Sequence, residues 1–119
     1  MDLGLTGKVA IITGGSQGIG KATASAMAAE GALVVICARR LDILAGAAED
    51  IKILTNGEIL PVQADVTEPT QTKKLVEKTI NTYGRLDILV NNAGTRATSH
   101  FSDLNDEDWQ NDLDLKLFL

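Results

Sequence analysis

The stretch Thr13-Gly14-Gly15-Ser16-Gln17-Gly18-Ile19-Gly20 carries the clearest chemical potential in this sequence. It follows the apolar run Val9-Ala10-Ile11-Ile12 and leads into KATASAMAAEG. The run reads as a strand buried on both faces, and the continuation reads as a helix. A glycine-rich strand-to-helix turn is where a fold can hold a phosphate. The first N–H groups of a helix lack internal partners, and the helix dipole favours negative charge there. Gly14 suits a tight turn, Gly18 leaves room for a pyrophosphate to approach the backbone, and Gly20 lets the helix pack closely on the strand. The spacing G-x-x-x-G-x-G differs from G-x-G-x-x-G, and the absence of Gly-Lys-Ser/Thr excludes a P-loop. Taken alone, it also fits a strand–turn–helix with incidental glycines.

The remaining polar candidates follow later apolar runs: Arg39-Arg40 after Ala32 to Cys37, Asp65-Val66-Thr67 after Ile59 to Ala64, and Asn91-Asn92-Ala93-Gly94 after Leu86 to Val90. Between the runs lie helical stretches. The first, about Gln17 to Glu30, is alanine-rich and stops at Gly31. The second, about Leu41 to Leu54, carries Ile43, Leu44, Ala47, Ala48 and Ile51 as a stripe. The third starts at Thr67-Glu68-Pro69, with proline in its first turn, and runs to Tyr83-Gly84. Asn56-Gly57 marks a turn, and Pro61 predicts an edge position for the third strand. A polar loop from Thr95 to Asp103 leads to a last helix from about Leu104 to the end.

Strands alternating with helices mean a parallel sheet covered on both faces, a doubly wound α/β fold of the Rossmann type. Right-handed crossovers leave few topologies, and the expected strand order is 3-2-1-4. The ligand crevice then lies at the strands' carboxyl ends, between strands 1 and 4, where Gly14 and Gly94 meet. At 119 residues the chain is one domain, residues 1–119. Its 45% hydrophobic share with only 3% aromatic implies an aliphatic core. A net charge of -5 without a basic stripe argues against nucleic acid and anionic membrane as main partners. The single cysteine, Cys37, excludes an internal disulfide and reads as a buried small hydrophobe. The N-terminus lacks a signal-peptide layout, and the longest apolar run is too short to span a bilayer, so a cytoplasmic location is expected.

In order and register, Thr13 to Gly20, Asp65-Val66-Thr67 and Asn91-Asn92-Ala93-Gly94, with Trp109 behind them, resemble the short-chain dehydrogenase/reductase family. The resemblance covers the whole chain but only the front half of that family's domain. It implies a nicotinamide cofactor, with Ser16, Gln17, Gly18 and Ile19 holding the pyrophosphate through backbone groups. It implies that Asp65 and Val66 border the adenine, and that Asn91, Ala93 and Gly94 line the adenosine ribose and nicotinamide side. Asn92 is expected to tie neighbouring strands. An alternative for Asp65 is an acid near a helix N-terminus that favours the dipole. An NAD site wants an acid at the tip of strand 2, and here the strand ends Cys37-Ala38-Arg39-Arg40. A guanidinium can bind a 2′-phosphate through two charge-assisted bonds, so NADP(H) is expected rather than NAD(H). Arg39 is the main contact and Arg40 a helper. Gln17 is neutral where some members carry a basic residue, so the preference is modest.

The resemblance also implies an oxidoreductase moving hydride between nicotinamide and a carbonyl or alcohol. That chemistry needs a tyrosine with a lysine four residues on, and a serine. A phenol needs such a neighbour to act as a base at neutral pH. The one tyrosine, Tyr83, is followed by Gly84, Arg85, Leu86 and Asp87, and is expected on the wrong side of strand 4. No residue takes a catalytic role. The chain stops in an apolar helical segment and is expected to be incomplete at its C-terminus and inactive alone. The alternative is a non-catalytic cofactor-binding or interaction module with strand 4 exposed as an edge. Seven residues after Trp109 the family commonly has asparagine; here Lys116 stands, as a variant relay group or a solvated lysine. Trp109, Leu113 and Leu117 form one helical stripe, with Leu115 and Leu119 adding a second; the resemblance implies association into a homo-oligomer through this helix, and a simple core helix is the alternative. His100 is expected to be exposed, and no metal site is expected.

Overall fold

The computed structural model describes residues 4–92 and 116–118. The order of elements is β1 (Val9–Thr13), α1 (Gly18–Ala29), β2 (Leu33–Ala38), α2 (Leu41–Thr55), β3 (Glu58–Gln63), α3 (Pro69–Tyr83), β4 (Ile88–Asn91) and β5 (Lys116–Phe118). All pairings are parallel, and the sheet order is β3-β2-β1-β4-β5. The doubly wound fold and the 3-2-1-4 core of its sheet are therefore as the alternation of runs implied. Boundaries differ by a residue or two, chiefly at β4, which starts at Ile88 because Leu86 and Asp87 lead into the sheet.

Two aliphatic cores follow from the pleat. Ile12, Val34 and Ile36 point to one face, where they meet Ala24 and Ala28 of α1 and Leu44, Ala47 and Ile51 of α2. Ile11, Val35 and Cys37 point to the other, against Leu75 of α3 with Leu86 and Leu89. Val9 to Ile12 are fully buried. Each such side chain contributes about 1.5–3 kcal/mol on burial, so β1 anchors the domain. The alanines of α1 allow close approach to the sheet. Pro61 sits in the edge strand β3 opposite Ile36, where a missing donor costs least.

The helix ends also obey local chemistry. Gly31 follows α1 with φ 89°, and Asn56 closes α2 in the left-handed conformation with its N–H bonded to the Lys52 carbonyl at 2.8 Å. Pro69 opens α3, and Gly84 ends it with φ 81°.

One expectation is corrected. Lys116–Phe118 is not helical; it pairs with β4 in the register Ile88↔Lys116, Leu89↔Leu117 and Val90↔Phe118. β4 has an outer ladder of backbone groups to satisfy, and a three-residue segment that supplies partners overrides a helical spacing of leucines. The outer side of β4 is thus covered there rather than left as an edge. The remainder of the expected last helix, with Trp109, Leu113 and Leu115, lies outside the described residues, as does the polar loop before it with His100. So do Ala93, Gly94 and Leu119. Among the described residues, no helix is long and apolar enough to cross a membrane.

Candidate functional site at the carboxyl end of the sheet

The carboxyl ends of β1 to β4 form one row. Thr13 aligns with Cys37 on one side and with Asn91 on the other, and Ala38 aligns with Gln63. The glycine turn, Arg39, Asp65 and Asn91 therefore stand at the same end of the sheet, although they are far apart in sequence.

Gly14 turns the chain with φ 66°, and its N–H bonds the Cys37 carbonyl at 3.0 Å. A Cβ there would lie 3.3 Å from the Asn92 carbonyl oxygen, so the turn is held against the end of β4. Gly20 is buried, and a Cβ on it would overlap the Gly14 carbonyl oxygen and lie 2.7 Å from Asn92 Nδ2. Close approach of helix to strand is thus a requirement at this position. Gly18 differs: a Cβ there would meet nothing within 4 Å, but its φ is 57°. Space above Gly18 is open, and the conformation is one that glycine adopts without strain.

Gln17, the N-cap of α1, makes no side-chain capping bond, and the first turn holds no acid. Among the described residues, none accepts a hydrogen bond from the N–H of Gly18, Ile19 or Gly20. Ser16 is half-buried beside them, Gln17 is exposed, and Ile19 is 78% exposed. An uncapped helix start under open space is able to hold an anion.

Arg39 and Arg40 follow β2 and are exposed. The Arg39 carbonyl accepts a bond from Gln63 Nε2 at 3.0 Å, which fixes its backbone, while its side chain has no ion-pair partner among the described residues. Arg40 Nη2 pairs with Asp42 Oδ2 at 3.2 Å.

Asp65 is half-buried. Its Oδ1 accepts from the Thr67 N–H at 2.9 Å and from the Thr67 hydroxyl at 2.6 Å. The Asp65 N–H donates to Gln71 Oε1 at 2.7 Å. The carboxylate is therefore part of the turn that leads into α3. Val66 is 6% exposed, with its side chain in the core on the α3 side. Only its backbone remains for a neighbour, and its carbonyl already accepts from Thr72 Oγ1 at 3.2 Å.

The tie between strands expected of Asn92 is made mainly by other groups. The Thr13 hydroxyl donates to Asn91 Oδ1 at 3.2 Å and accepts from the Asn92 N–H at 2.8 Å. Asn91 is buried, and its carboxamide serves this tie. Asn92 contributes its N–H, and its side chain lies against the start of α1. Sequence reasoning did not single out Thr13. The available signal was a hydroxyl ending an otherwise aliphatic strand, a buried polar group that must find partners.

Tyr83 closes α3 at the opposite end of the sheet, 3.3 Å from Glu58 Oε2 at the start of β3. Burial and then the Glu58 carboxylate push its phenol above the usual range, the wrong direction for a base at neutral pH. A groove of about 500 Å³ runs along β3 to its carboxyl end, walled by Leu41, Pro61, Val62, Gln63, Ala64 and Leu75 among others. Among the described residues, no group of three His, Cys, Asp or Glu side chains could hold a metal ion.

A parallel sheet of this order, with a glycine turn and an open helix start at its carboxyl end, defines a nucleotide-fold α/β domain. The short chain dehydrogenase family matches residues 8–118, and the chain belongs to that family. It is 41% identical to 3-oxoacyl-[acyl-carrier-protein] reductase of Synechocystis over 95% of its own length and 46% of that enzyme. L-Sorbose reductase from Gluconobacter frateurii, solved with NADPH and L-sorbose, is 43% identical with a TM-score of 0.75, over 92% of this chain and 42% of that one. A 7α-hydroxysteroid dehydrogenase, solved with NADH and a 7-oxo bile acid conjugate, is 38% identical with a TM-score of 0.72, over 76% of this chain and 35% of that one. The chain thus spans less than half the length of these relatives.

Proposed function

We propose that this chain is the cofactor-binding portion of an NADP(H)-dependent oxidoreductase that moves hydride between nicotinamide and a carbonyl or alcohol. The observation that carries the reading is the uncapped start of α1 beneath open space at Gly18. Backbone groups from Ser16 to Ile19 hold the pyrophosphate there, and Gly14 and Gly20 set the turn. Asp65 and the Val66 backbone border the adenine, and Asn91, Ala93 and Gly94 line the path towards the nicotinamide. When bound, the cofactor supplies the hydride chemistry, and the chain positions it.

Relatives with either NADPH or NADH share the fold, so the choice of cofactor rests on local residues. The side chain of Arg39 is exposed and without an ion-pair partner among the described residues, at the tip of β2 where a 2′-phosphate would fall. No acid ends β2 itself; Asp42 follows in the first turn of α2. Titration with NADPH and NADH, followed by nicotinamide fluorescence, tests the assignment. Arg39→Asp should weaken NADPH binding by about tenfold or more, the scale of one charged hydrogen bond, while NADH binding holds or tightens. NADPH affinity that survives this change would sink the assignment.

A second reading, a cofactor-binding module without turnover, is favoured by the position of Tyr83 at the far end of the sheet. With no other tyrosine in the sequence, the 119 residues bind NADPH and leave carbonyl compounds unreduced. Steady NADPH consumption by the purified chain with simple ketones and aldehydes would count against that.

A further inference from the structure

Resting on the NADP(H) reading, we infer that Asp42 is a specificity-determining residue: a resident carboxylate that competes with the cofactor's 2′-phosphate and limits how strongly NADP(H) is preferred over NAD(H). The two arginines at the tip of β2 are in different states. Arg39 has no ion-pair partner among the described residues, whereas Arg40 is engaged with Asp42 at 3.2 Å. Asp42 lies in the first turn of α2, whose N-cap, Arg40, makes no side-chain capping bond. The Asp42 carboxyl is held below the usual carboxylate range, first by the neighbouring Ile43 backbone N–H and then by the charge of Arg40. A guanidinium and the N–H groups of a helix start are the two features that attract a phosphate. Here a carboxylate of the chain already pairs with the guanidinium and stands in the first turn of the helix.

The consequences differ for the two cofactors. A 2′-phosphate near Arg40 must displace Asp42 or accept its negative charge as a neighbour. A 2′-hydroxyl carries no charge and is nearly indifferent to it. The side chains of Arg40 and Asp42 are 70% and 71% exposed, so the pair is solvent-screened and easily opened. The competition therefore lowers the preference without abolishing it.

The test is a set of fluorescence titrations with NADPH and NADH on the chain and on Asp42→Asn, Arg40→Gln and the double variant, with melting curves to verify folding. Asp42→Asn should tighten NADPH about twofold to fivefold, the range of an exposed ion pair, and change NADH by less than about twofold. The gain should shrink in the Arg40→Gln background, and it should fade as salt is raised. Equal gains for both cofactors, no change for NADPH, or a gain undiminished by Arg40→Gln would overturn the role of Asp42. A chain that binds neither cofactor, or whose NADPH binding survives Arg39→Asp, would instead overturn the cofactor assignment, and the Asp42 proposal with it. Silence of Asp42→Asn alone overturns only the latter.

Discussion

The two ends of the sheet are built on opposite principles. At the amino end, polar groups are consumed by one another. Asp87 receives Arg85 Nε at 2.8 Å and Arg85 Nη2 at 2.6 Å, and its Oδ2 also accepts the Val9 N–H at 2.9 Å. The Asp87 N–H returns a bond to the Val9 carbonyl at 2.9 Å, and Tyr83 lies within reach of Glu58. At the carboxyl end, α1 starts without a cap, Gly18 opens to space, and the Arg39 side chain is exposed without an ion-pair partner among the described residues. About 13 Å of β1 separates the two ends. The contrast teaches that backbone N–H groups and a cation left unsatisfied by the chain are able to take a ligand, while closed networks fasten the fold.

The largest expected effect lies beneath the open end. Burial raises the Cys37 thiol from 9.0 to about 12; the Gly14 N–H opposes this, and the Asp65 charge adds to it. The thiolate population falls by about a thousandfold at any pH well below that value. Iodoacetamide at pH 8 should therefore leave the folded chain almost unlabelled and modify it promptly in urea, as mass spectrometry would show. Rapid labelling of the folded chain would mean that the crevice floor is wet, and the contrast between the ends would blur.

Next come the two glycines of the turn. Gly20→Ala must push a methyl into the Gly14 carbonyl, and backbone cannot yield cheaply. We expect a loss of about 3 kcal/mol or failure to fold, despite a gain of about 1 kcal/mol in helix propensity. Gly18→Ala meets no atom, and only its positive φ opposes it, at about 1 kcal/mol. It should remain folded and bind NADPH more weakly. Equal melting temperatures for the two variants would deny that one glycine serves packing and the other the ligand.

Asp87→Ala tests the closed end. It leaves the Val9 N–H buried without its acceptor and should cost about 2–4 kcal/mol in urea unfolding. NADPH affinity of the folded fraction should stay within about twofold, since the sites are far apart. Burial alone would raise the Asp87 carboxyl, but the bonds from Arg85 and Val9 outweigh it and hold the group below the usual carboxylate range. Its contribution is therefore complete above the ordinary carboxylate pKa and fades as pH falls through the lower, folded value. The variant should lose less stability on acidification than the parent chain.

How much of this was legible beforehand depends on the kind of interaction. Apolar runs, helix stripes and punctuation by Gly31, Asn56, Pro61 and Pro69 act within a few residues, so the sheet order followed from them. Gly20 was legible because close helix–strand packing has few residue solutions. The Thr13–Asn91 tie and the Asp87–Val9 pair join groups separated by 78 residues. No local pattern announces which buried polar group will meet which. Lys116–Phe118 was misread for a related reason. Its leucine spacing suits a helix, while its pairing is decided by the unfilled ladder of β4. The sequence ranked Arg39 the main contact and Arg40 a helper, and the fold adds that Arg40 is held by Asp42 while the Arg39 side chain is exposed without an ion-pair partner among the described residues.

The smallest expected effect separates a structural tyrosine from a chemical one. Tyr83→Phe removes one exposed, 3.3 Å hydrogen bond to Glu58, a loss of about 0.5 kcal/mol or less in melting experiments. The ring remains packed beside the core on the α3 side, where it already lies. NADPH binding should not change, because the hydroxyl stands at the end of the sheet opposite the proposed cofactor site. A marked fall in NADPH affinity, with stability intact, would place Tyr83 near the cofactor. It would also mean that the two ends of the sheet are not the separate devices described above.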